Sequence, residues 1–549
     1  MIGVATSEKH RPAAAEFFEL FKTAWEFYQC GSAYEVLLCC DASEIDARAK
    51  LVLIYGPAEQ PFDRKHRLET VSDRSPALVT YRGDDLPIFG ECARFIGNDK
   101  GWLDQKSGQP IMARVKCEDQ FFIRIGFDLF EEVRNLLCSG QPSQFAQSPS
   151  IELHIAILRD LLIEHLIPFV EIPPVPNGYN FIACLTHDVD HFGIRNHRFD
   201  HTTFGFLYRA TVGSLLDVCR GRKSTSQLLR NWIAAFSLPL VHLGLVPDFW
   251  TKLERYLEIE GSSPSTFYII PQKDEAGIAA DGTKPRLRAA RYDAAQLSAS
   301  IDRIRHNGGE VGVHGIDAWR DSTAARRELA QIHQLIETRE VGIRMHWLFF
   351  DLESPAKLER AGFSYDSTIG YNETIGYRCG TSQAFKPFGT ERLLELPLHV
   401  MDTALFYPSY LNLSTEQAMA RINVLVENAS RFGGALTINW HDRSIAPERL
   451  WDLSYSRIVE TLRSKGPWFA TASDAVAWFR KRRSAVFERV ASEGYNSDVR
   501  IVMQENDDGL PELRIRSYRS TPSDSPASFA QESYSEVRLG ESELAIVSP

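Results

Sequence analysis

Four short stretches of this sequence gather ionisable residues at the ends of apolar runs. They are Thr186-His187-Asp188-Val189-Asp190-His191, His314-Gly-Ile-Asp317, Arg344-Met-His346-Trp347 and Trp440-His441-Asp442. Carboxylates and imidazoles together are ligands for a divalent cation. A second carboxylate can take a proton, a second imidazole can return one, and an arginine can hold the carboxylate ionised. That is the donor set of a hydrolytic metal site. Taken singly, each residue has a plainer explanation. A histidine after a strand is usually structural, Asp188 and Asp190 can cap a loop, and Arg344 can serve an ion pair. Their joint placement argues for one shared site.

The elements that must position them are short strands alternating with amphipathic helices. Phe181–Leu185 reads as a strand running into Asp188, and Thr266–Ile270 as another between prolines. Asp293 can cap a helix with Leu297, Ile301 and Ile304 on one face, closed by Gly308-Gly309. Strands follow at Glu310–Val313, before His314, and at Gly342–Met345, which contains Arg344. Leu329, Ile332, Leu335 and Ile336 mark a helix between them, and Ser354-Pro355 opens a further helix that Gly362 closes. Leu393–Leu398 and Ala435–Trp440 are later strands, the second running into His441. Repeated units of this size predict a parallel α/β fold, with a barrel as one usual closure. In such folds the C-terminal ends of the strands converge on one face, where ligands bind.

The chain has 549 residues, more than one compact core holds, and three segments are expected. Residues 1–172 read as a smaller α/β domain, with strands at Glu35–Cys40, Lys50–Tyr55 and Gln120–Ile125 and helices at Phe130–Leu137 and Glu152–His165. Three prolines and a glycine in Glu171–Gly178 mark a boundary. The site-bearing domain spans 178–482, and 483–549 is an extension. There Val499–Gln504 and Glu512–Tyr518 are expected to pair as a hairpin, and Arg519–Glu536 to be mobile.

A net charge of -11 argues against a general nucleic-acid-binding surface. No apolar stretch approaches the ~18 residues of a membrane span. The nearest, Ile233–Val246, is interrupted by Pro239 and His242 and reads as a buried or interfacial helix, packing being favoured. Nine scattered cysteines without a CxxC pair, and no secretory signal pattern, suggest reduced thiols and a cytoplasmic location.

In these motifs the chain resembles the NodB-homology polysaccharide deacetylases, carbohydrate esterase family 4. Thr186-x-Asp188-x-Asp190 resembles the family's first motif, and Pro264–Ile269 the strand after it. Glu310-x-Gly-x-His314 resembles the start of its second motif, Arg344-x-x-Trp347 its third, and Leu436–His441 its last strand and histidine. Tyr365-Asp366-Ser-Thr368 and Leu394–Pro397 fall where the family places pocket walls. The resemblance implies a distorted, incomplete (β/α) barrel over a little over half the chain. It implies a divalent metal, zinc by family habit, on Asp190 and His314. Asp188 would be the general base, Arg344 its partner, and His441 the acid that protonates the departing amine. The metal and backbone N–H groups would stabilise the oxyanion. The implied activity is removal of an N-acyl group from amino sugars of a polysaccharide or glycan.

The family's second motif ends in a histidine four residues after His314, and here Ala318 stands in its place. Catalytic zinc usually has three protein ligands, so a third is needed. His191 is the favoured donor, with Asp317 and loss of the metal as the alternatives. His187 could support a ligand from behind. His346 replaces the usual proline and could face substrate or pack. Trp347 could stack on a sugar ring, Trp440 could narrow the pocket, and Tyr365 and Asp366 would line it. Two other functions stay open: a deformylase or amidohydrolase acting on a small or lipid-linked amino sugar, and a glycan-binding protein that has lost catalysis.

Overall fold

The computed structural model describes residues 1–40, 49–96, 102–338, 340–489, 499–504, 509–518, 534–539 and 545–547. They form two compact units, one of residues 179–376 and 389–476, the other of 1–178, 377–388 and 477–549.

The first unit is built on a parallel sheet. Its strands are β1 (Ile182–Val189), β2 (Ser265–Ile269), β3 (Glu310–Gly315), β4 (Ile343–Met345), β5 (Tyr365–Asp366), β6 (Leu394–Glu395), β7 (Val400–Met401), β8 (Ala435–Asn439) and β9 (Trp468–Phe469). The order is β6-β5-β4-β3-β2-β1-β8-β7, with β9 also against β1, and every pairing is parallel. The sheet curls into a half-barrel, a partial (β/α) barrel. Parallel strands buried on both faces must be apolar nearly throughout. Phe181–Leu185 and Ala435–Ile438 meet that demand, being fully buried. The strand expected to stop at Leu185 continues to Val189, and that at Glu310–Val313 continues to Gly315. Asp188 and His314 are therefore held in the sheet itself.

Helices cover the sheet between strands. Asp293 caps its helix as expected, accepting a hydrogen bond from the Ala295 N–H. The first turn is 3-10 and the α-helix runs Ser298–His306. Ser354–Ala361 closes at Gly362, whose φ of 105° suits glycine. Gly342, just before β4, has a different constraint: a Cβ there would lie 1.9 Å from the Tyr365 ring.

Between β1 and β2 the chain makes helices α1 (His201–Tyr208) and α2 (Thr225–His242). Their inner faces pack as a small core that includes Phe206, Ala234, Leu238, Val241 and Trp250. The packing expected for Ile233–Val246 holds for this face alone. Leu229, Ile233, Phe236 and Leu243 point outward and are exposed. No helix among the described residues is long and apolar enough to cross a membrane.

The second unit holds a six-stranded sheet in the order Trp25–Phe27, Ile2–Ala5, Val36–Cys40, Leu51–Tyr55, Gln120–Ile125, Met112–Cys117, parallel except for the last pair. The helices Leu129–Cys138 and Ser150–Glu164 lie within a residue or two of the spans read from the sequence. The C-terminal segment belongs to this same unit, and the expected hairpin is corrected. Val499–Met503 pairs with Ala485–Arg489 and Ala545–Val547, while Leu513–Tyr518 pairs with Phe169–Glu171 and Tyr534–Leu539. Of the stretch expected to be mobile, residues 519–533 lie outside the described residues.

Candidate active site

Alternation along β1 sorts its ionisable residues. Side chains on a strand point to opposite faces in turn. Thr186 and Asp188 therefore share one face and His187 takes the other. His187 sits fully buried behind the sheet, with Nε2 2.7 Å from Glu260 Oε1 and Nδ1 2.9 Å from the Trp440 carbonyl. It contributes to the packing of Tyr256 and Phe267.

On the other face Arg344 makes a fixed bracket. Its Nη1 donates to Thr186 Oγ1 at 2.7 Å and to Asp188 Oδ1 at 3.1 Å, and its Nε and Nη2 donate to the carbonyl and hydroxyl of Ser367. Asn439 Nδ2 donates to the second Asp188 oxygen at 2.7 Å. Burial alone would raise the Asp188 pKa, but cationic neighbours, Arg344 and His441 among them, outweigh it and hold the carboxylate below its ordinary value.

Asp190 lies just past the end of β1. Its Oδ1 is 3.3 Å from His314 Nε2 and 3.2 Å from His346 Nδ1, and those two nitrogens are 2.9 Å apart. Among the described residues these three form the group able to hold a metal ion. The register of β3 against β4 places His314 beside Arg344, and His314 Nδ1 lies 2.9 Å from the Arg344 carbonyl. A carbonyl can only accept, so Nδ1 carries the proton and Nε2 presents a lone pair toward Asp190. Burial pushes the His346 pKa down to about 4, so its imidazole is neutral near pH 7. Asp190 Oδ1 is buried and has no hydrogen-bond partner. A tetrahedral ion with bonds of ~2.0 Å sets its ligands ~3.3 Å apart, close to this triangle. The donor chemistry and the unsatisfied oxygen both fit a divalent cation.

The residue that joins Asp190 and His314 in this candidate group is His346, which the sequence reading places as a substrate contact. His191 lies outside the group. It lines the same cleft, with its N–H 3.0 Å from Asp442 Oδ2 and its ring beside His197 and Trp250. Asp317 is turned away as well, accepting from the Ile278 N–H at 2.9 Å. Ala318 is fully buried.

His441 follows β8, and its partner was missed in the sequence. Nδ1 is 2.6 Å from Asp402 Oδ1, and the His441 N–H donates to Asp402 Oδ2 at 2.8 Å. Ser444 Oγ donates to the same carboxylate. Burial would lower the His441 pKa, but Asp402 overrides it and the pKa rises to about 10. With Nδ1 engaged, Nε2 faces Asp190 Oδ2 at 3.9 Å. Asp402 follows β7, whose parallel register with β8 (Met401 opposite Asn439) brings it beside His441. An aspartate between an apolar Val400-Met401 pair and a helix start was the only local signal.

The cleft has a volume of about 300 Å³ and includes Asp190, His346, Trp347, Tyr407, His441, Arg443 and Arg449 in its walls. Trp347 is 41% exposed at its rim, and both it and Leu348 take left-handed backbone angles (φ 63° and 55°). A tryptophan held in that region is conformationally costly. The remaining expected wall residues are corrected. Tyr365 is buried and donates to Glu310 Oε1 at 2.7 Å. Asp366 is buried and accepts from Thr368 Oγ1. Trp440 is fully buried, its ring 5.4 Å from Tyr455.

No family model matches the sequence, and no curated protein matches it. Among solved structures, a provisionally named polysaccharide deacetylase from Mycobacterium smegmatis overlaps 59% of this chain and 99% of its own, at 17% identity and a TM-score of 0.36. One from Pseudomonas aeruginosa, also provisionally named, overlaps 56% and 94%, at 14% identity and a TM-score of 0.36. The PuuE allantoinase overlaps 56% and 92%, at 13% identity and a TM-score of 0.35.

Proposed function

We propose that this chain is a metal-dependent hydrolase that removes an N-acyl group from an amino sugar of a glycan. The observation that carries the reading is one cleft region in which three metal-donor atoms stand between an ionised base and a protonated acid. When bound by Asp190, His314 and His346, a divalent cation, zinc by the family resemblance, supplies Lewis acidity and lowers the pKa of water toward ~7. Asp188, kept ionised by Arg344 and Asn439, accepts the proton of the attacking water. His441, kept protonated by Asp402, gives its Nε2 proton to the departing amine. Amide hydrolysis needs that last step because an unprotonated amide nitrogen is a very poor leaving group. Trp347 offers its exposed face to a sugar ring.

A second reading, a small amino sugar in place of a polymer, is favoured by the cleft volume of about 300 Å³, which suits one sugar unit. A purely glycan-binding role leaves the Asp188–Arg344 and His441–Asp402 pairs without purpose. The test is release of acetate or formate from N-acylated oligosaccharides and monosaccharides by zinc-loaded protein, beside Asp188→Asn. Release that falls at least ~10²-fold in the variant supports the reading. Absence of release from every N-acyl sugar by fully metal-loaded protein overturns it.

A further inference from the structure

Two arginines in the cleft wall have no role in the chemistry above. Arg443 is nine-tenths buried, yet its Nε has no hydrogen-bond partner, and its guanidinium lies over the Trp250 ring at 4.9 Å. Arg449, also buried, donates only to hydroxyls, Tyr407 Oη at 2.6 Å and Ser444 Oγ at 3.3 Å. Among the described residues neither guanidinium is in an ion pair. The nearby carboxylates bond other donors, Asp442 the N–H groups of His191 and Arg443, Asp402 His441, and Glu448 Oε2 Trp250 Nε1, while Glu448 Oε1 has no partner; together with Tyr407 their charges raise the Arg449 pKa without a direct ion pair. A third arginine, Arg209, also has an unpartnered buried Nε, and its pKa is pushed down to about 10 by burial and by the charges of Arg443 and Arg449. Buried cations are normally paired, since removing a guanidinium from water is expensive.

We propose that Arg443 and Arg449 form a subsite for an anionic substituent, carboxylate or phosphate, on the sugar that the cleft binds. A guanidinium fork matches both anions by paired N–H donors, and hydroxyl-bonded Arg449 is already oriented. The substrate class is then an acidic amino sugar. The word substrate rests on the deacylase reading, whereas the anion subsite does not.

The experiment is calorimetric titration of the full chain with N-acetylglucosamine, N-acetylglucosamine 6-phosphate and an N-acetylhexosaminuronic acid. It is repeated for Arg443→Gln, Arg443→Lys and His314→Ala. The expected result is at least ~10-fold tighter binding of one acidic sugar than of the neutral one, weakening with salt. Which acidic sugar wins tells carboxylate from phosphate. Arg443→Gln should erase the preference, Arg443→Lys should retain part of it, and His314→Ala should leave it intact. Equal binding of all three sugars to the wild type overturns the inference, as does a preference lost in His314→Ala but kept in Arg443→Gln. Acyl release, measured separately, decides the deacylase reading alone.

A different observation concerns helix α2. Its outward stripe is apolar: Leu229, Trp232, Ile233, Phe236, Leu240 and Leu243 are all exposed, at the spacing of one helical face. Inward, Ala234, Ala235, Leu238 and Val241 are apolar too. Residues 195–246 carry seven Lys or Arg and two Asp, a local excess of five positive charges in a chain of net charge -11. We infer that this face docks on an anionic lipid surface, the apolar stripe entering the headgroup layer and Arg220, Arg222 and Arg230 meeting lipid phosphates. The test is flotation of the full chain with vesicles of phosphatidylcholine alone or with phosphatidylglycerol. Binding should require phosphatidylglycerol, weaken with salt, and fall at least ~10-fold in Ile233→Glu/Phe236→Glu, whose positions are exposed and tolerate charge. Absence of binding to charged vesicles overturns it. So does self-association that the same double variant abolishes, which would make a second copy the covering surface.

Discussion

Asp402 holds His441 through both carboxylate oxygens, Oδ1 at 2.6 Å from Nδ1 and Oδ2 at 2.8 Å from the backbone nitrogen. One residue thereby sets the orientation, tautomer and charge of the proposed acid. Asp402→Asn keeps the shape and removes the charge. The His441 pKa should then fall from about 10 toward that of a free imidazole, so the alkaline limb of the rate profile should move to lower pH. Acyl release should drop ~10²-fold or more. The pH–rate profile checks both, and an unmoved alkaline limb would count against the pairing.

Metal content separates the two candidate third ligands. Protein dialysed against zinc and then buffer should retain close to one ion per chain. His314→Ala and His346→Ala should lose it, while His191→Ala should keep it, since only the first two lie in the triangle with Asp190. Elemental analysis of the four proteins decides the matter.

Arg344 is fully buried and its charge is matched chiefly by Asp188. Replacing one partner of a buried pair leaves the other uncompensated, typically at ~3–5 kcal/mol. Arg344→Met should destabilise by about that amount in urea unfolding. Adding Asp188→Asn to it should cost less than the sum of the single changes, because the stranded carboxylate is gone.

Glu328 gives a pH dependence of opposite sign to the usual acid effect. Its carboxylate is buried and accepts the N–H groups of Ile316 and Asp317, and burial pushes its pKa up to about 7. A folded pKa above the unfolded one means the folded state holds a proton that the unfolded chain has released. The stabilisation is present below the unfolded pKa of ~4.3 and is lost as pH rises to about 7, a swing of ~3–4 kcal/mol. Glu328→Gln cannot titrate. The stability of wild type minus variant should therefore fall across that window, as unfolding at a series of pH values would reveal.

Much of the fold was legible because its signals are local. Buried parallel strands demand apolar runs, and Phe181–Leu185 and Ala435–Ile438 supply them. Asp293, Ser354-Pro355 and Gly362 mark helix ends by short-range hydrogen bonding and backbone preference. Where pairing depends on distant chain, reading failed. Val499–Met503 and Leu513–Tyr518 look like one hairpin locally, yet each pairs elsewhere.

The same division runs through the site. By itself the sequence determined which residues could do chemistry and that Asp188, Asp190, His314, Arg344 and His441 fall in or just after apolar strands, because strand patterning is local. Only the tertiary structure decided which side chains touch. His346 stands in the metal triangle because the turn after β4 aims it at Asp190, whereas His191, though adjacent to Asp190 in sequence, turns toward Trp250. Asp402 reaches His441 through the register of β7 on β8 across 39 residues. Tyr365, Asp366 and Trp440 sit near the motifs in sequence but are buried. Side-chain direction at the end of a strand is set by loop geometry and by neighbours from other strands, and neither is written in the residues alongside.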